Sequence, residues 1–236
     1  MSEHTAEVDC AQCGRHFAAP IRPRHRLLCG DAFLEADHQR VLDGQSVDLV
    51  LTDPPYGVGL DYDGMVDDEA LVQRVIRETM PLLLRWPIVA ITTGHRWLWR
   101  YPEPTWMLVW VHPAGAGLGP WGFTTVNPIL VYGDDPYLKA GIGSRADSLV
   151  LAADREGQEG HPAPKPPQVW AWLLERCSPH AGQVVFDPFL GAGTSIVVAE
   201  QMARSCYGLE QSPAYCDVAV NRWQTLTGKK AVRCEK

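Results

Sequence analysis

Apolar residues fall in short runs along this chain, and each run stops at a turn or a charge. Residues 25–29 end at Gly30-Asp31, residues 47–52 at Asp53, and residues 88–92 at Thr93-Gly94. Residues 107–111, 129–132, 183–186 and 206–209 complete a set of seven. Runs of this length, bounded by turn signals, predict buried strands. Helical spacing lies between them. Residues 67–85 set Leu71, Val75, Ile76, Met80, Leu83 and Leu84 on one side after an acidic start. Residues 168–177, 194–203 and 213–226 predict three more helices. Continuous apolar strands alternating with helices predict an α/β fold whose mostly parallel sheet is covered on both faces.

Such sheets bind ligands beyond the carboxyl ends of their strands. Asp31, Asp53, Asp187 and Glu210 all fall at such ends. Four acids at four strand ends are hard to explain as solvated turns alone. Two segments predict loops with a task. Residues 57–68 are rich in Gly and Asp and should be mobile. Residues 133–165 are long and rich in Gly, Pro and charge, as functional loops are.

At 236 residues and 46% hydrophobic content, the chain has the size and composition of a globular α/β domain. Residues 1–24 predict an irregular lead-in, and 25–236 the domain itself. No run approaches the roughly 18 apolar residues of a membrane span, and the polar start is unlike a secretory signal, so a cytoplasmic protein is expected. The seven cysteines are scattered, and most sit in apolar or helical patterns as reduced thiols. Cys10 and Cys13 are spaced like half of a zinc site, a weak signal when alone. No metal is otherwise expected. The net charge of −7 argues against strong non-specific attraction to nucleic acid, although Arg22, Arg24 and Arg26, and Arg96 and Arg100, cluster locally.

Two motifs carry the chemistry. Val184-Val185-Phe186-Asp187 leads into Pro188-Phe189-Leu190-Gly191-Ala192-Gly193-Thr194. Its glycines let the backbone turn tightly and approach a ligand. Glu210 follows 23 residues after Asp187, the arrangement that grips ribose hydroxyls. That spacing fits a dinucleotide as well as an adenosyl cofactor. The second motif, Asp53-Pro54-Pro55-Tyr56, precedes the first by 134 positions. An exocyclic amine on a base is a poor nucleophile because its lone pair is delocalised into the ring. The Asp53 carboxylate can accept one amine hydrogen and the main-chain carbonyl of Pro54 the other, preorganised by the prolines. Tyr56 offers a face on which an extruded base can stack.

Together these motifs resemble the amino-group DNA methyltransferases in their β-class order, catalytic motif first and cofactor loop second. The resemblance covers most of residues 25–232. It implies a Rossmann-like seven-stranded sheet of the class I AdoMet type with circularly permuted motif order, S-adenosyl-L-methionine (AdoMet) as cofactor, and DNA with a flipped base as partner. It makes Asp53, Pro54, Pro55 and Tyr56 catalytic. It gives cofactor binding to Asp31, Lys165, Asp187, Phe189, Gly191, Gly193, Thr194 and Glu210. The Asp-led tetrapeptide implies adenine N6, with cytosine N4 the alternative. An RNA or protein methyltransferase would normally place the cofactor loop first. A non-catalytic AdoMet- or DNA-binding module is the reading from a different class. Relatives often dimerise and often belong to restriction-modification systems. The chain departs from the family where Lys and Glu are usual, with His112 and Asn127 in their places. It also leaves little room for a target-recognition domain, so short insertions near 112–125 and 133–160 would have to read the DNA.

Overall fold

The computed structural model describes residues 5–9, 16–20, 24–62, 65–113, 115, 117–152 and 165–233. Three two-stranded antiparallel ribbons, β1 (Thr5–Asp9) with β2 (His16–Pro20), β5 (Asp61–Tyr62) with β6 (Met65–Val66), and β9 (Gly117–Gly119) with β10 (Gly122–Thr124), stand apart from the main sheet. The lead-in expected to be irregular therefore carries a hairpin. Cys10 and Cys13 lie outside the described residues.

The main sheet has eight strands, one more than expected. They are β3 (His25–Cys29), β4 (Leu49–Thr52), β7 (Val89–Thr92), β8 (Trp106–Val111), β11 (Val126–Tyr132), β12 (Ser148–Val150), β13 (Val184–Asp187) and β14 (Ser205–Glu210). Their order is β12-β8-β11-β7-β4-β13-β14-β3. All seven predicted strands are present. The eighth, β12, pairs parallel to β8 inside the segment expected to be a loop. Only β11 runs against its neighbours β7 and β8, so the sheet is mostly parallel.

Helices close both faces, and a one-turn helix, α4 (Pro136–Lys139), follows β11. Against one face lie α5 (Pro167–Cys177), α6 (Thr194–Gln201) and α7 (Pro213–Thr227), packing Trp170, Leu173, Ile196 and Ala219 over Leu49, Leu51 and Val185. Against the other lie α1 (Glu35–Leu42), α2 (Glu69–Arg74) and α3 (Met80–Leu83), with Val41, Val72, Met80 and Leu83 over Val50, Ile91 and Phe186. The helix expected over 67–85 is interrupted by a π turn, Val75–Thr79. Pro81 explains it. Proline has no N–H for the α ladder and its ring crowds the preceding turn. The amide of Met80 accordingly reaches back five residues to the Val75 carbonyl.

The parallel strands point their carboxyl ends the same way, and β4 and β13 are neighbours. Asp53 and Asp187 therefore emerge side by side, with Glu210 one strand further on. Of the four tryptophans between positions 97 and 110, Trp97 and Trp110 are core residues, while Trp99 and Trp106 are exposed. Among the described residues, no helix is long and apolar enough to cross a membrane.

Candidate active site

Beyond these strand ends lies a cleft of about 410 Å³, lined by every one of the predicted site residues except Gly193. That is the size range of a cofactor pocket. Asp31, Phe33, Phe189 and Glu210 form one part, and Asp53, Tyr56 and Lys165 another.

Asp187 is buried and fully engaged. It accepts hydrogen bonds from the Thr52 hydroxyl at 2.7 Å, the Phe189 amide at 3.1 Å and the Ser195 hydroxyl. Ser195 in turn accepts from the indole N–H of Trp170 at 2.7 Å. This network fixes the start of the Gly-rich turn to the strand and to α5. Burial pushes the Asp187 carboxyl up to about 6, against those hydrogen bonds, and the Asp53 charge adds to the rise. A carboxyl raised in the folded state from an ordinary value of 3.8 binds its proton more tightly there than when unfolded. Folding stability then falls as pH rises from about 4 to about 6, by something on the order of 2–3 kcal/mol. Asp187→Asn should flatten that slope in urea midpoints measured across this window; an unchanged slope would contradict the assignment.

The turn itself is dictated by glycine. Gly191 and Gly193 have φ of 54° and 81°, where a side chain is strained. A Cβ on Gly193 would lie 2.6 Å from the Cβ and 2.9 Å from the Cα of Ala219 on α7. Gly193 therefore acts from behind the cleft, letting α6 and α7 pack together. Thr194 accepts a hydrogen bond from Arg222 at 3.3 Å, and the same guanidinium donates to the Ala192 carbonyl at 2.6 Å.

Glu210 spans two amides. One carboxylate oxygen accepts from Gly191 at 2.7 Å and the other from Ser212 at 2.8 Å. These two bonds orient the carboxylate at the cleft wall. Asp31 closes a turn by accepting from the Phe33 amide at 2.9 Å. Phe33 meets Phe189 edge to face at 6.2 Å between ring centroids, and Arg74 covers Phe33 at 3.8 Å.

The Asp53 carboxylate is gripped from three directions. Lys165 donates to both oxygens, at 2.8 and 2.7 Å, and the hydroxyls of Thr92 and Tyr56 both donate to Oδ1. The Lys165 ammonium also sits 4.6 Å from the centroid of the Tyr56 ring. Lys165, expected on the cofactor, lines the same cleft and is paired with Asp53. Oδ1 is crowded with donors, so Oδ2 keeps the more open acceptor site.

The Gly- and Asp-rich segment after Tyr56 was expected to be mobile. Its start is instead held by Asp67, which is fully buried and accepts from the amides of Tyr56, Gly57 and Val58 at 3.1, 2.5 and 3.3 Å. Thr52, Thr92, Ser195, Trp170 and Asp67 were all missed by sequence reasoning. Thr52 and Thr92 read as strand residues and Trp170 as helix packing, so only their long-range partners reveal them.

Residues 105–221 match the family model described as DNA methylase. A 62-residue segment is 42% identical to the type II methyltransferase M.ScaI of Streptomyces caespitosus, covering 26% of this chain and 20% of that protein. The aligned part is therefore about a fifth of that relative's length. The fold resembles the crystal structure of an M1.HpyAVI–SAM complex, with TM-score 0.59, 18% identity, and 84% and 99% of the two chains covered. It also resembles the cytosine-N4-specific PvuII DNA methyltransferase, with TM-score 0.60, 16% identity, and 85% and 88% covered.

Proposed function

From its membership in the amino-group DNA methylase family, matched over residues 105–221, we propose that this chain transfers a methyl group from AdoMet to the exocyclic amine of a flipped DNA base, adenine N6. The observation that carries the proposal is the meeting of Asp53 and Glu210 in one cleft from motifs 157 positions apart.

The residues fit the cofactor. Glu210, oriented by two amides, suits a ribose diol. The Phe33–Phe189 pair offers apolar ring edges for an adenine, beside Asp31. The glycine turn lets the backbone come close. AdoMet supplies an electrophilic methyl; the rest is positioning by the protein.

On the target side, the open acceptor site of Asp53 Oδ2 and the Pro54 carbonyl take the two amine hydrogens and pull the lone pair out of conjugation. The carboxylate is already held by Lys165, Thr92 and Tyr56, so it reorganises little when the charge develops. Lys165 covers the Tyr56 ring, and the base stacks on what remains of that ring. The test is transfer of labelled methyl from AdoMet to duplex DNA, followed by nucleoside analysis. N6-methyladenine is the expected product. N4-methylcytosine, the activity named for the PvuII enzyme, would shift the base but keep the class. Unmethylated DNA would overturn the proposal.

A further inference from the structure

Two buried polar atoms near the Asp53–Tyr56 end of the sheet find no hydrogen-bond partner among the described residues: Asn127 Nδ2 and His112 Nδ1. Unpaired buried polar groups are uncommon because each costs the desolvation it cannot recover. Thr93 Oγ1 and Trp97 Nε1 are also unpaired, but Trp97 belongs to the opposite core, and Thr93 alternates with Thr92 onto that face.

Register places the first pair together. Asn127 lies opposite Trp110 across β11 and β8. His112 follows Trp110 by two residues, its amide continues the pairing to the Thr125 carbonyl at 2.7 Å, and its ring stands 5.5 Å from that of Trp110. Successive side chains alternate, so Asn127 and His112 leave the same face. It is also the face of Thr92, because Ile129, two residues from Asn127, pairs with Thr92. Thr92 in turn donates to Asp53. The ladder continues past the strand end through the Thr93 amide and the Pro128 carbonyl. That brings Gly94 level with Asn127, and a Cβ on Gly94 would sit 3.5 Å from the Cβ of Tyr56. The unpaired atoms therefore lie beyond Asp53, beside the aromatic residue of the catalytic tetrapeptide.

We propose that Asn127 and His112 form the subsite that reads the ring edge of the target base. Asn127 donates to a ring-nitrogen acceptor, adenine N7, and His112 supports that edge. This rests on the methyl-transfer reading. With both amine hydrogens taken by Asp53 and Pro54, a ring acceptor flanking the amine is what remains for a side-chain amide to recognise. Asn is suited to the adenine N6/N7 edge. Cytosine carries a C–H at the corresponding flank and offers nothing there to accept.

The test uses the full chain and duplex oligonucleotides carrying the site mapped from the wild-type product, with adenine or 7-deazaadenine at the target. Wild type should lose about tenfold in kcat/KM on 7-deazaadenine, and Asn127→Ala about tenfold on adenine, the worth of one hydrogen bond in a closed site. Asn127→Ala should then lose nothing further on 7-deazaadenine. His112→Phe should lose several-fold on adenine. AdoMet affinity should be unchanged in both variants, and their melting temperatures equal to or above wild type, since each removes an unpaired buried atom. Multiplying losses in Asn127→Ala, full activity in that variant, or a product methylated only on cytosine would each overturn the subsite while leaving methyl transfer standing. A marked fall in melting temperature would also overturn it, showing that the amide serves the fold; Asn127→Ser, which keeps a donor, would then restore the temperature. A wild type that methylates no base would overturn the methyl-transfer reading itself, and the subsite with it.

Discussion

Asp53→Ala is expected to lower methyl transfer by roughly 10²–10³-fold or more, the scale seen when one preorganised polar group is removed from a reacting centre, while AdoMet still binds within a few-fold of wild type. The separation follows from the geometry. Asp53 is tied to Lys165, Thr92 and Tyr56. The amides of Gly191 and Ser212 are tied to Glu210. No hydrogen bond joins Asp53 to the Glu210 set among those described. Truncation leaves the Lys165 ammonium, which is 13% exposed, without its counter-ion, so some loss of stability accompanies the loss of rate. Asp53→Asn keeps the volume and separates the two effects: it should retain the fold and still lack the anionic acceptor. Equilibrium binding of AdoMet and single-turnover transfer, measured on both variants, decide it. Near-normal turnover in Asp53→Asn, or loss of AdoMet binding, would remove Asp53 from the role given to it.

How much of this was legible depended on whether a residue's task is local. All seven predicted strands could be read because a strand covered on both faces must be continuously apolar and must stop at a turn. The acids Asp53, Asp187 and Glu210 could be placed in one cleft because they sit where such strands stop. The short strand Ser148–Val150 could not, since three residues in a Gly- and charge-rich segment carry no period. Nor could α1: in Glu35–Leu42 only His38, Val41 and Leu42 are buried, too few for a helical stripe to stand out. The π turn before Pro81 was hidden because the apolar spacing of residues 67–85 continues through it.

The site residues that escaped are of one kind. Thr92 holds Asp53 from 39 residues away, and Thr52 holds Asp187 from 135. Each hydroxyl occupies a position that a β-branched strand residue would fill for packing alone. The resemblance gives Lys165 to the cofactor, and its ammonium also lies on a carboxylate 112 residues earlier. Asp67 read as one more acid in a polar loop, and the fold buries it as the acceptor for three successive amides. Chain proximity predicted the motifs, and sheet order decided their partners.

Glu210→Ala tests the other half of the cleft, and the expected loss in AdoMet affinity is large because the carboxylate does two things at once. On the proposed reading it offers acceptors to the ribose, and it clamps the Gly191 and Ser212 amides at the cleft wall. Hydrogen bonds to a charged group contribute about 1.5–3 kcal/mol each, so loss of the ribose grip alone corresponds to roughly a tenfold to hundredfold rise in Kd. Freed amides that no longer hold the turn add to it. Glu210→Gln divides the two roles. A side-chain amide keeps one oxygen to accept from Gly191 or Ser212 but presents a donor to the other, so the turn is half restored and the charge is gone. Kd should therefore rank wild type below Glu210→Gln and Glu210→Gln below Glu210→Ala. Single-turnover transfer at saturating AdoMet should fall far less than in Asp53→Ala, because Glu210 is remote from the amine. An unchanged Kd in Glu210→Ala would take Glu210 out of the cofactor site. Equal Kd values for the two variants would show that the carboxylate charge, and not the shape of the turn, is what the cofactor feels.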